Sequence, residues 1–132
     1  MKYNAVLDKS KAFALKIIKF CDFLVEKKRL HTLSNQLLRS GTSIGANTRE
    51  AKRGQTKPDF YHKLNIALKE ADETAFWLEI LYESNKITKE QFDYMYKDCD
   101  EIIALLVSIT KTQKTKPSNK QESLENLINE TK

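Results

Sequence analysis

The sequence predicts an all-α chain folded as an antiparallel up-down-up-down four-helix bundle. Three observations carry that expectation. Apolar residues recur at three- and four-residue steps through four long segments, the periodicity of one face of a helix. Only three glycines and two prolines occur in 132 residues, too few for a turn-rich β fold. The links between segments are short, and short links make consecutive helices antiparallel neighbours. The bundle is assigned to residues 1–113 and a charged tail to residues 114–132.

The first helix is expected from Asp8 to Lys28, with Phe13, Ile17, Phe20, Cys21 and Leu24 on its apolar stripe. Asp8 or Ser10 can cap its start, because their side-chain oxygens accept from free backbone N–H groups. A link over residues 29–32 leads to a second helix with Leu33, Leu37, Ile44, Thr48 and Ala51 on one stripe. That helix is expected to end near Gly54, glycine being favoured just past a helix C-terminus.

Thr56, Pro58 and Asp59 signal the start of a third helix. Its stripe is Phe60, Leu64, Ala67, Leu68, Ala71, Ala75, Leu78, Leu81 and Tyr82. Asn85 and Lys86 form a turn, and Thr88 with Gln91 fits a capping box. The fourth helix then carries Phe92, Met95, Cys99, Ile102, Leu106 and Ile109 at heptad spacing. Tyr96, Ile103 and Val107 form a second apolar row, which is either deep core or a contact with a neighbouring subunit.

After Thr112 the composition becomes polar. Pro117 should stop the helix, while Leu124, Leu127 and Ile128 allow only a short amphipathic turn or two. Cys21 and Cys99 fall on apolar stripes and are read as reduced core residues. The longest apolar run, residues 102–107, is far too short to cross a bilayer, and no secretory signal is visible. A cytoplasmic protein is therefore expected.

The formal charge of +5 is unevenly placed. Residues 28–57 hold seven bases (Lys28, Arg29, Arg39, Arg49, Lys52, Arg53, Lys57) against Glu50, a net +6 that leaves −1 for the rest. Such asymmetry speaks about partners.

The stretch RSGTSIGANTREAKRG, residues 39–54, holds all three glycines. It lacks the GxxxxGK[ST] spacing of a phosphate-binding loop and the fingerprint of a dinucleotide fold. On a wheel centred on Ile44, Leu33, Leu37 and Ala51 lie within about 20° of the core direction. Gly41 and Gly45 lie on one flank beside Lys52, where missing side chains let a neighbouring helix approach. Gln36, Ser43 and Asn47 lie on the other flank, where hydrogen bonds can fix register with another helix. Arg49 and Arg53 point outward and Arg39 towards the back. Arg49, Lys52, Arg53 and Lys57, with Lys28 and Arg29 in the first link, are the candidate polyanion contacts; Tyr61 and His62 either stack on bases or pack.

No catalytic, metal or cofactor site is assigned. Asp59 and His62 make a single carboxylate–histidine pair and His31 stands in a link, short of a metal site's ligand count. Glu70, Asp72, Glu73 and Glu79 are read as a solvated face or as partners for bases on the second helix. Glu70 and Glu73 share a face that can approach that helix. Trp77 sits off the stripe, at a subunit boundary or the bundle edge.

QLLRSGTSIGANTREA (residues 36–51) followed by FYHKLNIALKEADETAFWLEIL (residues 60–81) resembles the four-helix bundle proteins encoded in 23S ribosomal RNA intervening sequences. Relatives of that family include the accessory proteins of diversity-generating retroelements. The likeness spans about residues 3–113. One departure is the run Asn47-Thr48-Arg49-Glu50-Ala51, where many members have an Asn-Ile-x-Glu-Gly-like sequence. The resemblance implies a homopentameric ring, an association with nucleic acid or a reverse transcriptase, and no established catalysis. The expected function is thus a non-enzymatic oligomer that binds RNA or DNA through its basic segment. The alternative is a scaffold for an acidic partner such as a reverse transcriptase.

Overall fold

The computed structural model describes the backbone of residues 1–115 and the side chains of residues 1–111. Its elements are α1 (Lys2–Glu26), α2 (His31–Ala51), α3 (Lys57–Glu83) and α4 (Lys89–Thr115). Each helix packs on its neighbours in sequence, and α1 closes the ring against α4. The architecture is the antiparallel four-helix bundle that the periodicity predicts.

Several boundaries move. α1 begins at Lys2, six residues before the expected Asp8, because Tyr3 and Val6 carry the stripe backwards into the core. Asp8 and Ser10 are therefore interior positions and cap nothing; the Ser10 hydroxyl donates to the Leu7 carbonyl at 3.3 Å. The first link moves to residues 27–30, where Arg29 takes a left-handed conformation (φ 59°). Leu30 N–H then reaches back to the Leu24 carbonyl at 3.0 Å.

α2 ends at Ala51, three residues before Gly54. Gly54 does not have the positive φ of a glycine cap. Space explains the residue instead: a Cβ there would lie 2.9 Å from the Asp59 Cβ and 3.0 Å from the Phe60 nitrogen. The starts of α3 and α4 follow the sequence signals closely. Thr56 Oγ1 accepts from Asp59 N–H at 3.3 Å. Thr88 and Gln91 exchange both capping-box bonds, at 3.1 and 2.9 Å. At the end of α3, Asn85 is left-handed and Lys86 N–H bonds to the Leu81 carbonyl at 2.9 Å, a Schellman closure. α4 continues past residue 113 to Thr115; Pro117 and the apolar residues of the tail lie outside the described residues.

The core is a single cluster that all four helices build, with Phe13, Ile17, Leu37, Ile44, Leu64, Leu78, Met95 and Ile102 among its buried members. Burying each large apolar side chain contributes about 1.5–3 kcal/mol. Cys21 and Cys99 are buried free thiols within it. Polar groups that enter the core bring partners. Across α2 and α3, Thr74 Oγ1 donates to Ser40 Oγ at 2.9 Å, and Ser40 in turn donates to the Leu37 carbonyl at 3.4 Å. Across α1 and α2, Ser34 Oγ donates to the Cys21 carbonyl at 3.2 Å.

The seam between α1 and α4 has a different character. Lys9 pairs with Glu101 at 2.5 Å and Lys16 with Asp98 at 2.6 Å, while the Lys16 ammonium also sits 3.5 Å from the Tyr94 ring centre. The second apolar row of α4 divides its work. Tyr96 stacks on Phe92 and donates to Glu79 Oε2 at 3.0 Å, and Ile103 packs on the core, but Val107 is 44% exposed.

Candidate nucleic-acid interface

α2 sorts its residues by the helix on which each flank leans. Towards α1 stand Gly41 and Gly45. A Cβ on Gly41 would lie 2.8 Å from Ile17 Cγ1, and one on Gly45 would lie 3.3 Å from the Ser10 carbonyl oxygen. The approach at Gly41 is closer than a Cβ allows, while at Gly45 it is tight but within reach of a small adjustment.

Towards α3 the contacts are ionic. Arg39 Nη1 bonds to Glu70 Oε2 at 3.1 Å, and Nη2 bonds to Glu73. These are the pairings expected of the acidic face of α3. Ser43 and Asn47, on the same flank, behave otherwise. Ser43 Oγ donates to the Arg39 carbonyl at 2.6 Å, and Asn47 Nδ2 donates to the Ser43 carbonyl at 2.9 Å. Both bonds stay within α2 in place of the cross-helix bonds the wheel suggests. Short polar side chains in a helix find the carbonyl one turn back before they reach a neighbour.

The last turn of α2 and the turn that follows it leave their cations uncommitted. Arg49, Lys52 and Arg53 are exposed, and among the described residues none of the three makes an ion pair. Lys63, in contrast, holds Glu50 at 2.8 Å, and Lys9, Lys16, Arg39 and Lys89 each hold a carboxylate. Lys57 opens α3 as a half-buried residue. The end of the bundle is held by Tyr3, whose hydroxyl donates to the Thr48 carbonyl at 2.9 Å and whose ring meets Phe60 edge-on at 5.2 Å. Burial pushes the Tyr3 hydroxyl up to about 12, against a smaller opposing effect of the Lys52 backbone N–H.

Lys28 and Arg29 are not part of this cluster. They lie in the α1–α2 link, at the opposite end of a 21-residue helix. At a rise of 1.5 Å per residue the separation is about 30 Å. Sequence counting joins the two groups because it ignores helix length; the bundle divides them. Tyr61 is 1% exposed and belongs to the core, which removes it as a stacking residue. His62 is exposed and shares a shallow depression with Arg53 and Lys63.

α1 contributes what the sequence reading left unassigned. An open groove of about 380 Å³ runs between α1 and α2, with Lys11 and Asp8 on the α1 side and Arg49 and Lys52 on the other. The available signal is the row Leu7, Lys11, Ala14 at steps of four and three, which faces the glycine flank of α2. It is legible only once the partner of that row is known.

The candidate acids of α3 are mostly engaged, Glu70 and Glu73 by Arg39 and Glu79 by Tyr96, while Asp72 is exposed. Among the described residues no three His, Cys, Asp or Glu side chains gather as a metal site would require. Trp77 is partly buried against the core at the α3 edge, with its ring edge-on to the exposed Phe76 at 5.1 Å.

A family model described as 23S rRNA-intervening sequence protein matches residues 2–108. A crystal structure from Bacteroides thetaiotaomicron VPI-5482, titled as a protein of unknown function from the S23 ribosomal protein family, is 52% identical to the chain. It superposes with a TM-score of 0.82, covering 84% of this chain and 99% of that one. No curated protein matches the chain.

Proposed function

The chain belongs to the 23S rRNA-intervening sequence protein family, and from that premise we propose a non-enzymatic bundle that binds RNA or DNA. The contact is the last turn of α2, the turn that follows it and the start of α3: Arg49, Lys52, Arg53 and Lys57. One observation carries this reading. Arg49, Lys52 and Arg53 stand exposed within five residues of one another and are unpaired among the described residues, whereas Lys9, Lys16, Arg39, Lys63 and Lys89 each hold a carboxylate. A protein gains little stability from unpaired surface cations, whereas phosphates supply each of them with a partner and release counterions. Among the described residues no helix is long and apolar enough to cross a membrane, which accords with the cytoplasmic placement we propose.

Retention of RNA or DNA should fall steeply as salt rises. Replacing Arg49, Lys52, Arg53 and Lys57 by Gln should weaken it further at every salt concentration. Binding that ignores the fourfold substitution would sink the assigned surface.

A second reading draws on the apolar side chains left at the surface. Leu15, Ile18, Phe76 and Val107 are each more than 40% exposed, and exposed apolar groups of this size mark protein contacts when they cluster. They lie on three helices, α1, α3 and α4, and offer separate contact points for self-association, up to the pentamer that the family resemblance implies, and alternatively for a scaffold that meets an acidic protein such as a reverse transcriptase. Light scattering decides the first: a clean monomer at tens of micromolar, about the range in which modest interfaces form, would refute assembly.

A further inference from the structure

We propose that the groove between α1 and α2 seats the phosphate backbone of a single-stranded nucleic acid, with Lys11 of α1 completing a site begun by Arg49 and Lys52 of α2. The inference rests on the nucleic-acid reading and narrows it to one groove and one substrate class.

Between the charged residues the groove is lined by Leu7 and Thr42 and by three residues with little or no side chain. Ala14 comes from α1, and Gly45 and Ala46 from α2, so the channel stays open along the helix pair. Ala46 is exposed, and its methyl group faces solvent. The rims carry the charge: Lys11 on one side, Arg49 and Lys52 on the other. Among the described residues none of these cations has an ion-pair partner. Asp8 is the one carboxylate in the lining, leaving the groove at net +2.

Width selects the strand. Packed helices have axes about 8–10 Å apart, so a surface channel between them takes one backbone, and a flexible single strand can bend to meet both rims where the backbone of a duplex follows a fixed curve. Cations on both rims can contact successive phosphates of a strand lying along the channel. No aromatic side chain lines the groove. Without a stacking platform the bases are not read, and affinity comes from phosphate contacts alone. The site should therefore tolerate any sequence. Three phosphate contacts to a single strand correspond to a salt slope of about −2 in log–log form.

Anisotropy titrations of a labelled short single-stranded RNA, of the same strand annealed as a duplex, and of single-stranded DNA test the proposal. The wild type should bind both single strands at least about tenfold more tightly than the duplex, consistent with the width limit. Lys11→Gln should weaken binding about fivefold and reduce the salt slope by about 0.7. Asp8→Asn should tighten binding, since it removes the one repulsive charge. Ala46→Trp fills the floor without changing charge and should abolish most of the affinity while the helical circular dichroism stays unchanged. If Ala46→Trp does not fold, Lys11→Gln and Asp8→Asn carry the test between them.

Wild-type binding that ignores Lys11→Gln and Asp8→Asn overturns the groove and leaves the broader nucleic-acid reading standing. No binding by the wild type at low salt overturns both. Equal affinity for the duplex rejects the single-strand assignment. Displacement of the strand by a polyglutamate peptide at lower concentration than by unlabelled RNA assigns the groove to an acidic protein. Displacement by millimolar inorganic phosphate, about the range of a lone weak anion contact, reduces it to a simple anion site.

Discussion

Gly41 of α2 stands so close to Ile17 of α1 that a Cβ at the glycine would lie 2.8 Å from Ile17 Cγ1 and 2.9 Å from its Cγ2. Ile17 is fully buried and β-branched, so its γ carbons cannot swing away. Two effects oppose one another in Gly41→Ala. Helix propensity favours alanine by about 1 kcal/mol. Overpacking a closed core costs about 1–3 kcal/mol. Overpacking should win, with a net loss of about 1 kcal/mol in urea unfolding, and Ile17→Val in the same chain should recover part of it. Gly45→Ala meets the Ser10 carbonyl at a gentler 3.3 Å and should be close to neutral. A stabilised Gly41→Ala protein would show that the approach of the helices is not enforced at this point.

Arg39 bridges Glu70 and Glu73 at the surface, with about half of its side chain exposed. Surface ion pairs contribute at most about 1 kcal/mol, and salt screens them. Arg39→Met should therefore lower stability only slightly, and less in high salt than in low. A larger loss that persists in high salt would mean that packing of the arginine stem matters more than its charge.

The capping box at the start of α4 is fully formed. Thr88→Ala removes the acceptor for Gln91 N–H and should cost about 1 kcal/mol. Thr88→Ser should restore most of it. Thermal unfolding of the pair measures both.

Burial pushes Tyr3 and the Cys99 thiol up to about 12; Tyr96 reaches about 12 as well, first through burial and then through its bond to the Glu79 carboxylate. The folded chain keeps these protons, whereas the unfolded chain releases them from the ordinary values of 9.0 for cysteine and 10.0 for tyrosine. Their contribution is intact below about pH 9 and declines as pH climbs towards 12. The unfolding midpoint should fall across that window, with part of the tyrosinate absorbance, that of Tyr3 and Tyr96, appearing only with loss of helix. A midpoint that stays level to the top of the window would contradict the burial of these groups. Alkylation of Cys21 and Cys99 at neutral pH should likewise wait for unfolding, both thiols being buried and raised.

The fold was legible because helices report themselves locally. Leu64, Ala71 and Leu78 of α3, or Met95, Cys99 and Ile102 of α4, state in spacing alone which face turns inward, and all six are buried. The caps at Thr56 and Thr88 are local too, each being a contact between residues three apart. The start of α1 was missed because it has no such signal: Met1 stands at the N-cap with no side-chain bond, and Tyr3 is anchored by Thr48, 45 residues away. Gly54 misled for the opposite reason. Its usual meaning is conformational, but here it answers to the nearness of Asp59 and Phe60.

The candidate site was less legible. The seven bases between residues 28 and 57 form one group by counting, yet the structure sorts them by partner and by place. Arg39 is committed to two glutamates, Lys28 and Arg29 belong to the far end of α2, and Lys11 enters from another helix altogether. Net charge is additive along a chain, but a binding surface depends on which charges remain unpaired and adjacent.

By itself, then, the sequence determined the four helices, their antiparallel order, the apolar face of each and the family. The helices and their faces are set by interactions within a few residues or by periodicity over one helix, their order by short links, and the family by the resemblance of residues 36–51 and 60–81 to known sequences. Only the tertiary structure decided which cations are free, where α1 begins, and that Gly41 and Gly45 open one side of α2 to Ile17 and Ser10. Those outcomes depend on contacts between residues tens of positions apart, whose distances are fixed when the four helices close around a common core.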